Sequence, residues 1–219
     1  MAYPERTLAK TEVVKVYART APFYDLWARI TETRARRRAF ELARVHDGES
    51  VLEVAVGTGL AFAELLRRNP NGRNEGIDLT EAMLAKAREK AERSSANNWR
   101  LRVGDAYHLD FAPATFDLLL NCYMFDLLPE ADFGHVLGEF HRVLKPDGRF
   151  VLVNLAPGEG VISWLWSHVH RINPAWVGGC RGVWMGGAVR DAGFTIETSE
   201  RVSQFGVPSE VIVAGSTRQ

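Results

Sequence analysis

Cysteine is scarce in this sequence, since only Cys122 and Cys180 occur among its 219 residues. Two cysteines cannot form the disulfide framework of a small secreted domain, and their spacing is not that of paired metal ligands. Long hydrophobic runs are also missing, because no stretch approaches the roughly 20 apolar residues of a membrane-spanning helix. The opening residues, MAYPERTLAKTEVV, lack the apolar centre of a signal peptide. These absences predict a soluble cytoplasmic protein without a metal site.

An excess of charge of either sign is missing as well. Lys and Arg together number 27, Asp and Glu together number 27, and the formal net charge is therefore +0. Broad nucleic-acid binders carry a clear basic excess, so this balance argues against a nucleic-acid partner. The hydrophobic share of 46% is enough for one substantial core, and we expect a single domain over residues 1–219.

Strand-like and helix-like segments alternate from residue 50 onward, after a helical region over 7–46 with a break near Ala21 and Pro22. The predicted strands are 51–55, 73–78, 99–103, 116–121, 149–154, 194–201 and 209–215, and the predicted helices are 60–69, 80–93, 131–144 and 183–192. This alternation predicts an α/β fold with a mostly parallel, doubly wound sheet. Ligands of such sheets bind beyond the carboxyl ends of the strands.

A glycine turn follows the first predicted strand in VLEVAVGTGLAF. Gly57 and Gly59 permit backbone conformations and close approaches that a Cβ would prevent. Asp78 ends the second predicted strand, 19 positions after Gly59. A carboxylate about 20 residues beyond such a turn commonly accepts hydrogen bonds from ribose hydroxyls. These features predict a site for a dinucleotide or for another adenosine-containing cofactor.

Two residues near the turn favour the second class of cofactor. A dinucleotide fingerprint has a small residue where Phe62 stands, so that the helix can pack closely beside a pyrophosphate. Glu53, within the first strand, would repel a pyrophosphate and attract a cationic amino group. A nicotinamide oxidoreductase is therefore the weaker alternative.

Four segments resemble, in order and spacing, consecutive motifs of the class I S-adenosylmethionine-dependent methyltransferases: VLEVAVGTG, GIDLTEAMLAKARE, RVGDAYHLDFAPATFDLLLNCYMFDLLP and EFHRVLKPDGRFVLVN. VRDAGFTI resembles the entry to the sixth strand, and YARTAPFYDLWA resembles the N-terminal helix of the ubiquinone/menaquinone C-methyltransferase-like branch. The resemblance implies a Rossmann-like, seven-stranded doubly wound sheet with N-terminal helices. It also implies methyl transfer from S-adenosylmethionine, with S-adenosylhomocysteine as the product.

The resemblance further implies which residues bind the cofactor. Glu53 would contact the methionine amino group, Asp78 the ribose hydroxyls, and Asp105 the adenine amino group. Leu79 would pack on adenine, Cys122 would border the transferable methyl, and alanine stands at position 55, where the family often has glycine. The implied set is Tyr17, Tyr24, Glu53, Ala55, Gly57, Thr58, Gly59, Asp78, Leu79, Gly104, Asp105, Ala106, Asn121 and Cys122.

A general base is the next expectation, although a sulfonium methyl is already electrophilic and mainly needs alignment and exclusion of water. A base helps where an acceptor hydroxyl must ionise. The candidates are Asp126, His141, His168 and His170. Asp126 directly follows the fourth predicted strand. His141 stands at a predicted helix end, where a histidine more often caps or packs.

The segments outside the core are expected to select the methyl acceptor. We divide the chain into an N-terminal helical cap (1–48), a cofactor core (50–155), a substrate lid (156–182) and a C-terminal part (183–219). The lid segment contains Trp164, Trp166 and Trp176, whose large apolar surfaces suit a hydrophobic ligand. Glycines at 158, 160, 178 and 179 bracket this segment and predict that it moves.

A basic and apolar segment, RITETRARRRAFELAR, belongs to the N-terminal cap. If it faces the same way as the lid, the two predict a peripheral contact with the anionic inner face of a membrane. The preferred acceptor is a small hydrophobic molecule, either a quinone precursor or a phospholipid-like amine. A soluble metabolite and a non-catalytic cofactor-binding role are the alternatives, and the oligomeric state is left open.

Overall fold

The computed structural model describes residues 9–158 and 180–216, and of residues 20–24 the backbone only. The strands are β1 (Ser50–Val54), β2 (Arg73–Asp78), β3 (Trp99–Val103), β4 (Phe116–Cys122), β5 (Leu144–Leu155), β6 (Phe194–Gln204) and β7 (Val207–Ser216). The helices are α1 (Lys10–Thr31), α2 (Thr33–Ala43), α3 (Leu60–Arg68), α4 (Glu81–Ala91), α5 (Phe133–Val143) and α6 (Gly186–Asp191). Two single-turn 3₁₀ helices, Phe125–Leu127 and Glu130–Asp132, follow β4.

The seven strands form one sheet in the order β3-β2-β1-β4-β5-β7-β6. Strands β1 to β5 pair in parallel, whereas β7 is antiparallel to both of its neighbours. The strand order reverses between β1 and β4, which creates the crevice where ligands bind in open α/β sheets. The predicted α/β class and the Rossmann-like seven-stranded sheet are confirmed.

Alternate residues of the central strands serve two separate cores, because successive side chains of a strand point to opposite faces. On β1, Val51 belongs to a core with α2, α3 and α4. Leu52 and Val54 belong to the other core, with α5 and α6. On β5, Val151 packs in the first core and Phe150 in the second. Burial on both faces explains why these strands have continuous apolar sequences.

The predicted helix break at Ala21 and Pro22 is wrong. Helix α1 continues to Thr31, and the interruption falls at Glu32, whose φ of −115° departs from helical geometry. A proline removes only one backbone donor, so the hydrogen bonds around it can still carry the helix. At the real break, the hydroxyls of Thr31 and Thr33 donate to the carbonyls of Trp27 and Arg29 at 3.0 Å. Such side-chain bonds compete with helix continuation.

Most other boundaries also shift by a few residues, most of all the start of β5, which lies at Leu144 rather than at 149. Two of these differences concern the end of β1 and the last helix. Strand β1 ends at Val54, because Ala55 adopts a left-handed conformation with a φ of 61°. The last helix is the short α6 (Gly186–Asp191) rather than 183–192, since Val183 instead donates its N–H to the carbonyl of Leu155 at 2.9 Å. Both differences arise at the carboxyl edge of the sheet, where the chain leaves regular structure.

Candidate active site

A cavity of about 450 Å³ opens at the carboxyl ends of β1, β2, β3 and β4. The turns that follow these strands line it, and the first turns of α1 cover it from the other side. Its position agrees with the expectation for a doubly wound sheet, since the order reverses between β1 and β4. Among the residues that the structure describes, no group of His, Cys, Asp and Glu could hold a metal ion.

The glycine turn after β1 places backbone atoms, without intervening side chains, at the edge of the cavity. Gly57 and Gly59 have φ values of 57° and 82°, which favour glycine. A Cβ on Gly59 would lie 2.7 Å from the Cα of Ala87, so glycine is also required for the contact with α4. Ala55 has a φ of 61° although it carries a Cβ, and this conformation costs about 1 kcal/mol. The turn is therefore held in shape by its surroundings.

Asp78 fixes the relation between this turn and the end of β2. Its carboxylate accepts hydrogen bonds of 2.8 Å from the backbone N–H groups of Gly57 and Thr80. Burial raises the pKa of Asp78 above its usual value, and these two N–H bonds oppose that rise. Asp78 and Leu79 both line the cavity. Each carboxylate oxygen keeps a lone pair with which it could accept a hydrogen bond from a ligand hydroxyl.

Asp105 stands at the end of the cavity formed by the turn after β3. One carboxylate oxygen accepts a hydrogen bond of 3.0 Å from the N–H of Tyr107, and the other forms a 2.7 Å ion pair with Lys10 of α1. Lys10 also lies 3.6 Å from the centre of the Tyr107 ring. Asp105 therefore ties the first turn of α1 to the cavity, a link between positions 95 residues apart that the sequence did not indicate.

Glu53 is buried under the turn and does not itself line the cavity. Its Oε2 has no hydrogen-bond partner within the described residues. Burial raises the pKa of Glu53 well above its usual range; Arg36 opposes this rise, while Asp78 adds to it. A buried carboxyl group with an unpaired oxygen is costly unless a donor reaches it. A cationic amine bound near the turn would stabilise the ionised form of this carboxyl.

The end of β4 forms the middle of the cavity wall. Asn121 is fully buried and donates a hydrogen bond of 2.9 Å to the carbonyl of Val54, which holds the end of β1 in place. Cys122 lines the cavity next to it. Burial raises the pKa of the Cys122 thiol far above its ordinary value, so this group is a neutral thiol and not a thiolate nucleophile.

Asp25 links helix α1 to the glycine turn; the sequence placed it in the N-terminal helix signature but gave it no role. The hydroxyl of Thr58 donates to Asp25 at 2.6 Å, and Lys90 of α4 forms a 2.9 Å ion pair with the same carboxylate. Lys90 also donates to the carbonyl of Thr58 at 2.8 Å. Partial burial raises the pKa of Asp25, but the bonds from Thr58 and Lys90 outweigh it and lower the pKa.

The remaining wall is mostly apolar. It consists of side chains from α1 and from the segment after β4: Val13, Tyr17, Met124, Leu127, Leu128 and Pro129. Tyr107 and Asp132 add a polar edge, where the Tyr107 hydroxyl donates to Asp132 at 2.6 Å. Since the turns after β2 and β3 offer the polar groups, the cavity has a polar end and an apolar end.

The candidate bases lie in different places. Asp126 is fully buried behind the cavity wall, and burial raises the pKa of its carboxyl to about 6. His141 is far from this wall: its ring packs on Phe194 at 5.1 Å and its Nε2 lies 3.3 Å from the hydroxyl of Ser216. We therefore abandon His141 as a candidate base. His168 and His170 lie outside the described residues.

Most of the predicted cofactor-binding residues do meet at this cavity. Those that line it are Tyr17, Ala55, Gly57, Asp78, Leu79, Gly104, Asp105, Ala106 and Cys122. Glu53, Thr58, Gly59 and Asn121 lie behind the wall and shape it, as the contacts above describe. The side chain of Tyr24 and the tryptophans of the predicted lid fall outside what the structure describes.

The fold and the cavity together define a class I S-adenosylmethionine-dependent methyltransferase. The described residues suit that cofactor: an ammonium group near the turn would stabilise the ionised carboxyl of Glu53, Asp78 could accept hydrogen bonds from ribose hydroxyls, and the glycine turn would permit close approach of the methionine portion. The reversal of strand order places these groups in one crevice.

Comparison with known proteins agrees with this class. A family profile described as "Methyltransferase domain" matches residues 51–148. Demethylmenaquinone methyltransferase of Lactobacillus johnsonii is 30% identical over 74% of this chain and 69% of its own length. The enzyme of the same name from Thermus thermophilus is 36% identical over 65% of each chain. The chain belongs to the class I S-adenosylmethionine-dependent methyltransferases.

Among solved structures, the [4+2]-cyclase SpnF has a TM-score of 0.78 with 16% sequence identity, and the match covers 98% of each chain. At this identity the similarity concerns the fold alone. The fold similarity therefore includes described strands outside residues 51–148, such as β6 and β7.

Proposed function

We propose that this protein transfers a methyl group from S-adenosylmethionine to a hydrophobic, quinone-like acceptor. The observation that carries the proposal is the apolar wall formed by residues such as Met124, Leu127 and Leu128, which continues directly from the cofactor end of the cavity. Similarity to demethylmenaquinone methyltransferases supports a quinone precursor over a phospholipid-like amine. Because a prenylated acceptor dissolves in lipid, the proposal includes a peripheral contact with an anionic membrane.

The cofactor supplies an electrophilic methyl group, and the residues of this chain bind it, orient the acceptor and exclude water. Asp78 and Asp105 would hold the adenosine portion, and Glu53 would hold the ammonium group under the turn. The methyl would then face Cys122, a neutral thiol that cannot compete as a nucleophile. Tyr17 of α1 also lines the cavity. In-line alignment of the acceptor is the principal contribution of such a site.

A carbon or oxygen acceptor on a phenolic ring becomes more nucleophilic when its hydroxyl ionises, and we assign the base to Asp126. Its two carboxyl oxygens have no hydrogen-bond partner within the described residues, and the nearby thiol of Cys180 lies 3.5 Å from the Tyr17 hydroxyl at the cavity. The proton of the acceptor hydroxyl would pass to Tyr17, the Tyr17 proton to Cys180, and the thiol proton to Asp126. With a pKa of about 6, Asp126 is mostly ionised at neutral pH and can receive it.

The direct test uses the purified protein, methyl-labelled S-adenosylmethionine and chemically reduced demethylmenaquinone with a short prenyl chain in detergent. Asp78→Asn serves as the variant impaired in cofactor binding, and Asp191→Asn, an exposed position on α6, serves as the matched control. We expect label in the organic phase with the native protein and with Asp191→Asn, and strongly reduced label with Asp78→Asn.

Label found only in the aqueous phase when whole-cell extract replaces the quinol would contradict the hydrophobic acceptor and indicate a soluble metabolite. Organic-phase label from phosphatidylethanolamine, with none from the quinol, would favour the lipid amine instead. Tight cofactor binding without transfer to any of these acceptors would support the non-catalytic alternative.

A further inference from the structure

Large hydrophobic side chains that are exposed to solvent are few in the described part of the chain, and they share one location. They are Leu26, Trp27, Ile30, Leu79, Val103, Trp184 and Phe205. Leu26 and Phe205 are the most exposed, at 65% and 78%. Scattered exposed hydrophobics are ordinary on a soluble protein, whereas their concentration on one face marks an interaction surface.

The shared location is the carboxyl edge of the sheet. Leu79 follows the last residue of β2, and Val103 is the last residue of β3. Trp184 follows Val183, which is hydrogen-bonded to the end of β5 through the carbonyl of Leu155. Phe205 forms the turn after β6, which runs in the same direction as β5 because both are antiparallel to β7.

Helix α1 lies along this same edge and contributes the other three side chains. Its first residue, Lys10, is paired with Asp105 just beyond β3, at one side of the sheet. Near its end, the carbonyls of Arg29 and Ile30 accept hydrogen bonds of 3.0 and 2.7 Å from Gln204, the last residue of β6 at the opposite side. Gln204 therefore holds the Phe205 turn beside the exposed residues of α1.

Positive charge accompanies the apolar residues of α1. Lys15, Arg19, Arg29 and Arg34 are exposed, and none of their side chains has a partner within the described residues. Most other arginines of this region are already engaged, as in the pairs of Arg37 with Glu41 and of Arg38 with Glu200. Unpaired cations next to exposed Leu, Trp and Ile are the combination by which helices lie in the plane of an anionic bilayer.

We propose that the carboxyl edge of the sheet docks on an anionic lipid bilayer, with α1 along the membrane surface and Phe205 inserted beside it. The cavity opens at this same edge, so docking would turn its mouth toward the membrane. The orientation is what this inference adds to the proposed function. It rests on that function only for the acceptor, since vesicle binding requires no turnover.

Co-sedimentation of the whole protein with vesicles tests the docking. We expect binding to vesicles of phosphatidylglycerol and phosphatidylcholine at low salt, weaker binding at high salt, and little binding to phosphatidylcholine alone. Leu26→Gln combined with Phe205→Ser should weaken binding roughly tenfold, because two apolar side chains no longer enter the lipid. Arg29→Gln combined with Arg34→Gln should weaken it by roughly tenfold to thirtyfold and flatten the salt dependence.

Arg100→Gln is the matched charge control, because Arg100 is exposed on β3 but belongs to the half of that strand remote from the carboxyl edge. Equal loss of binding with Arg100→Gln would overturn the assignment of the face, and no binding to anionic vesicles at low salt would overturn the docking itself. Light scattering adds one more test. If the native protein is a dimer that dissociates in the Leu26→Gln, Phe205→Ser double variant, and vesicle binding is unchanged, the face is a dimer interface and the docking proposal is wrong. Unchanged transfer to a detergent-dissolved quinol by this double variant would separate docking from catalysis.

Discussion

At the scale of single residues, the site depends on acidic groups whose ionisation the fold controls. Asp78 is half-buried and keeps two backbone N–H donors, Glu53 is buried with an unpaired oxygen, and Asp126 is buried behind the apolar wall. Burial disfavours the charged form of each carboxyl, so each one is stabilised either by a hydrogen-bonding or cationic partner or by protonation. This shared feature leads to three predictions.

Asp78→Asn is expected to weaken binding of S-adenosylhomocysteine by roughly tenfold to hundredfold, because charge-assisted hydrogen bonds to the ribose become neutral ones. In addition, the NH₂ group of the asparagine side chain would face a backbone N–H group of the turn, so that two donors would oppose each other. Isothermal titration calorimetry measures the effect, with Asp191→Asn as the control. An affinity equal to that of the native protein would remove Asp78 from the ribose site.

Cofactor binding is expected to release a proton at pH values below the raised pKa of Glu53, because the protonated carboxyl ionises when an ammonium group arrives. The affinity should therefore fall as the pH is lowered. Titrations in phosphate and Tris, which differ in ionisation enthalpy, measure the released proton. Glu53→Gln should abolish the difference between the two buffers; a difference that persists would assign the proton to another group.

Asp126→Asn should lower kcat by about a hundredfold, the usual range for loss of a general base. In the native protein, activity should fall as the pH drops through about 6, and the variant should lose this dependence. The variant should also be more stable above pH 6, by up to about 3 kcal/mol, because a raised folded-state pKa destabilises the fold progressively as the pH rises from the unfolded pKa of about 4 to the folded pKa of about 6. Lower activity without a changed pH profile would reduce Asp126 to a structural role.

At the scale of elements, the glycine turn connects β1 to α3 and packs against α4. Gly57 and Gly59 both have positive φ, but only Gly59 is in close contact with another element, at Ala87. Substituting Gly57 therefore tests only the need for a positive φ, whereas substituting Gly59 also tests the close packing against α4. Helix α1 is attached to the rest of the protein at three places along its length, by the contacts of Lys10, Asp25 and the Gln204 side chain.

Gly59→Ala is expected to destabilise the protein by about 2–4 kcal/mol, because its Cβ would overlap the backbone of α4. Gly57→Ala should cost only about 1 kcal/mol, since its Cβ meets nothing within 4 Å and only the positive φ opposes it. Urea denaturation compares the two directly. Equal losses of stability would mean that α4 can move away from the turn.

At the scale of the whole molecule, the seven strands form one sheet, from β3 at one edge to β6 at the other. The cores on its two faces share the central strands β1, β4 and β5. A ligand that binds at the carboxyl edge therefore touches strands that belong to both cores. We expect the protein to unfold as one unit, which would support the single domain expected over residues 1–219.

S-adenosylhomocysteine at a hundred times its Kd should stabilise the folded protein by about 2.7 kcal/mol. For a chain of this length, that corresponds to a rise in Tm of about 5–10 °C. Differential scanning calorimetry should show one transition with and without the ligand. Two transitions, of which only one shifts, would divide the chain into independent units.

The sequence by itself determined the features that are local. The alternation of apolar strands and amphipathic helices, the glycine turn and the position of Asp78 at the end of β2 all follow from backbone geometry over a few residues, and the structure agrees with them. The wrong helix break at Ala21 and Pro22 shows the limit of such reasoning. A proline costs one hydrogen bond, and the remaining bonds of α1 decide whether the helix continues.

Only the tertiary structure decided what residues distant in the sequence do together. The pair of Lys10 with Asp105, the clasp of Asp25 with Thr58 and Lys90, and the contact of Tyr17 with Cys180 join positions that no periodicity connects. The removal of His141 from the site and the gathering of exposed hydrophobics at one edge have the same origin. Local patterns reflect the geometry of one element, whereas contacts and exposure depend on how all elements pack against one sheet.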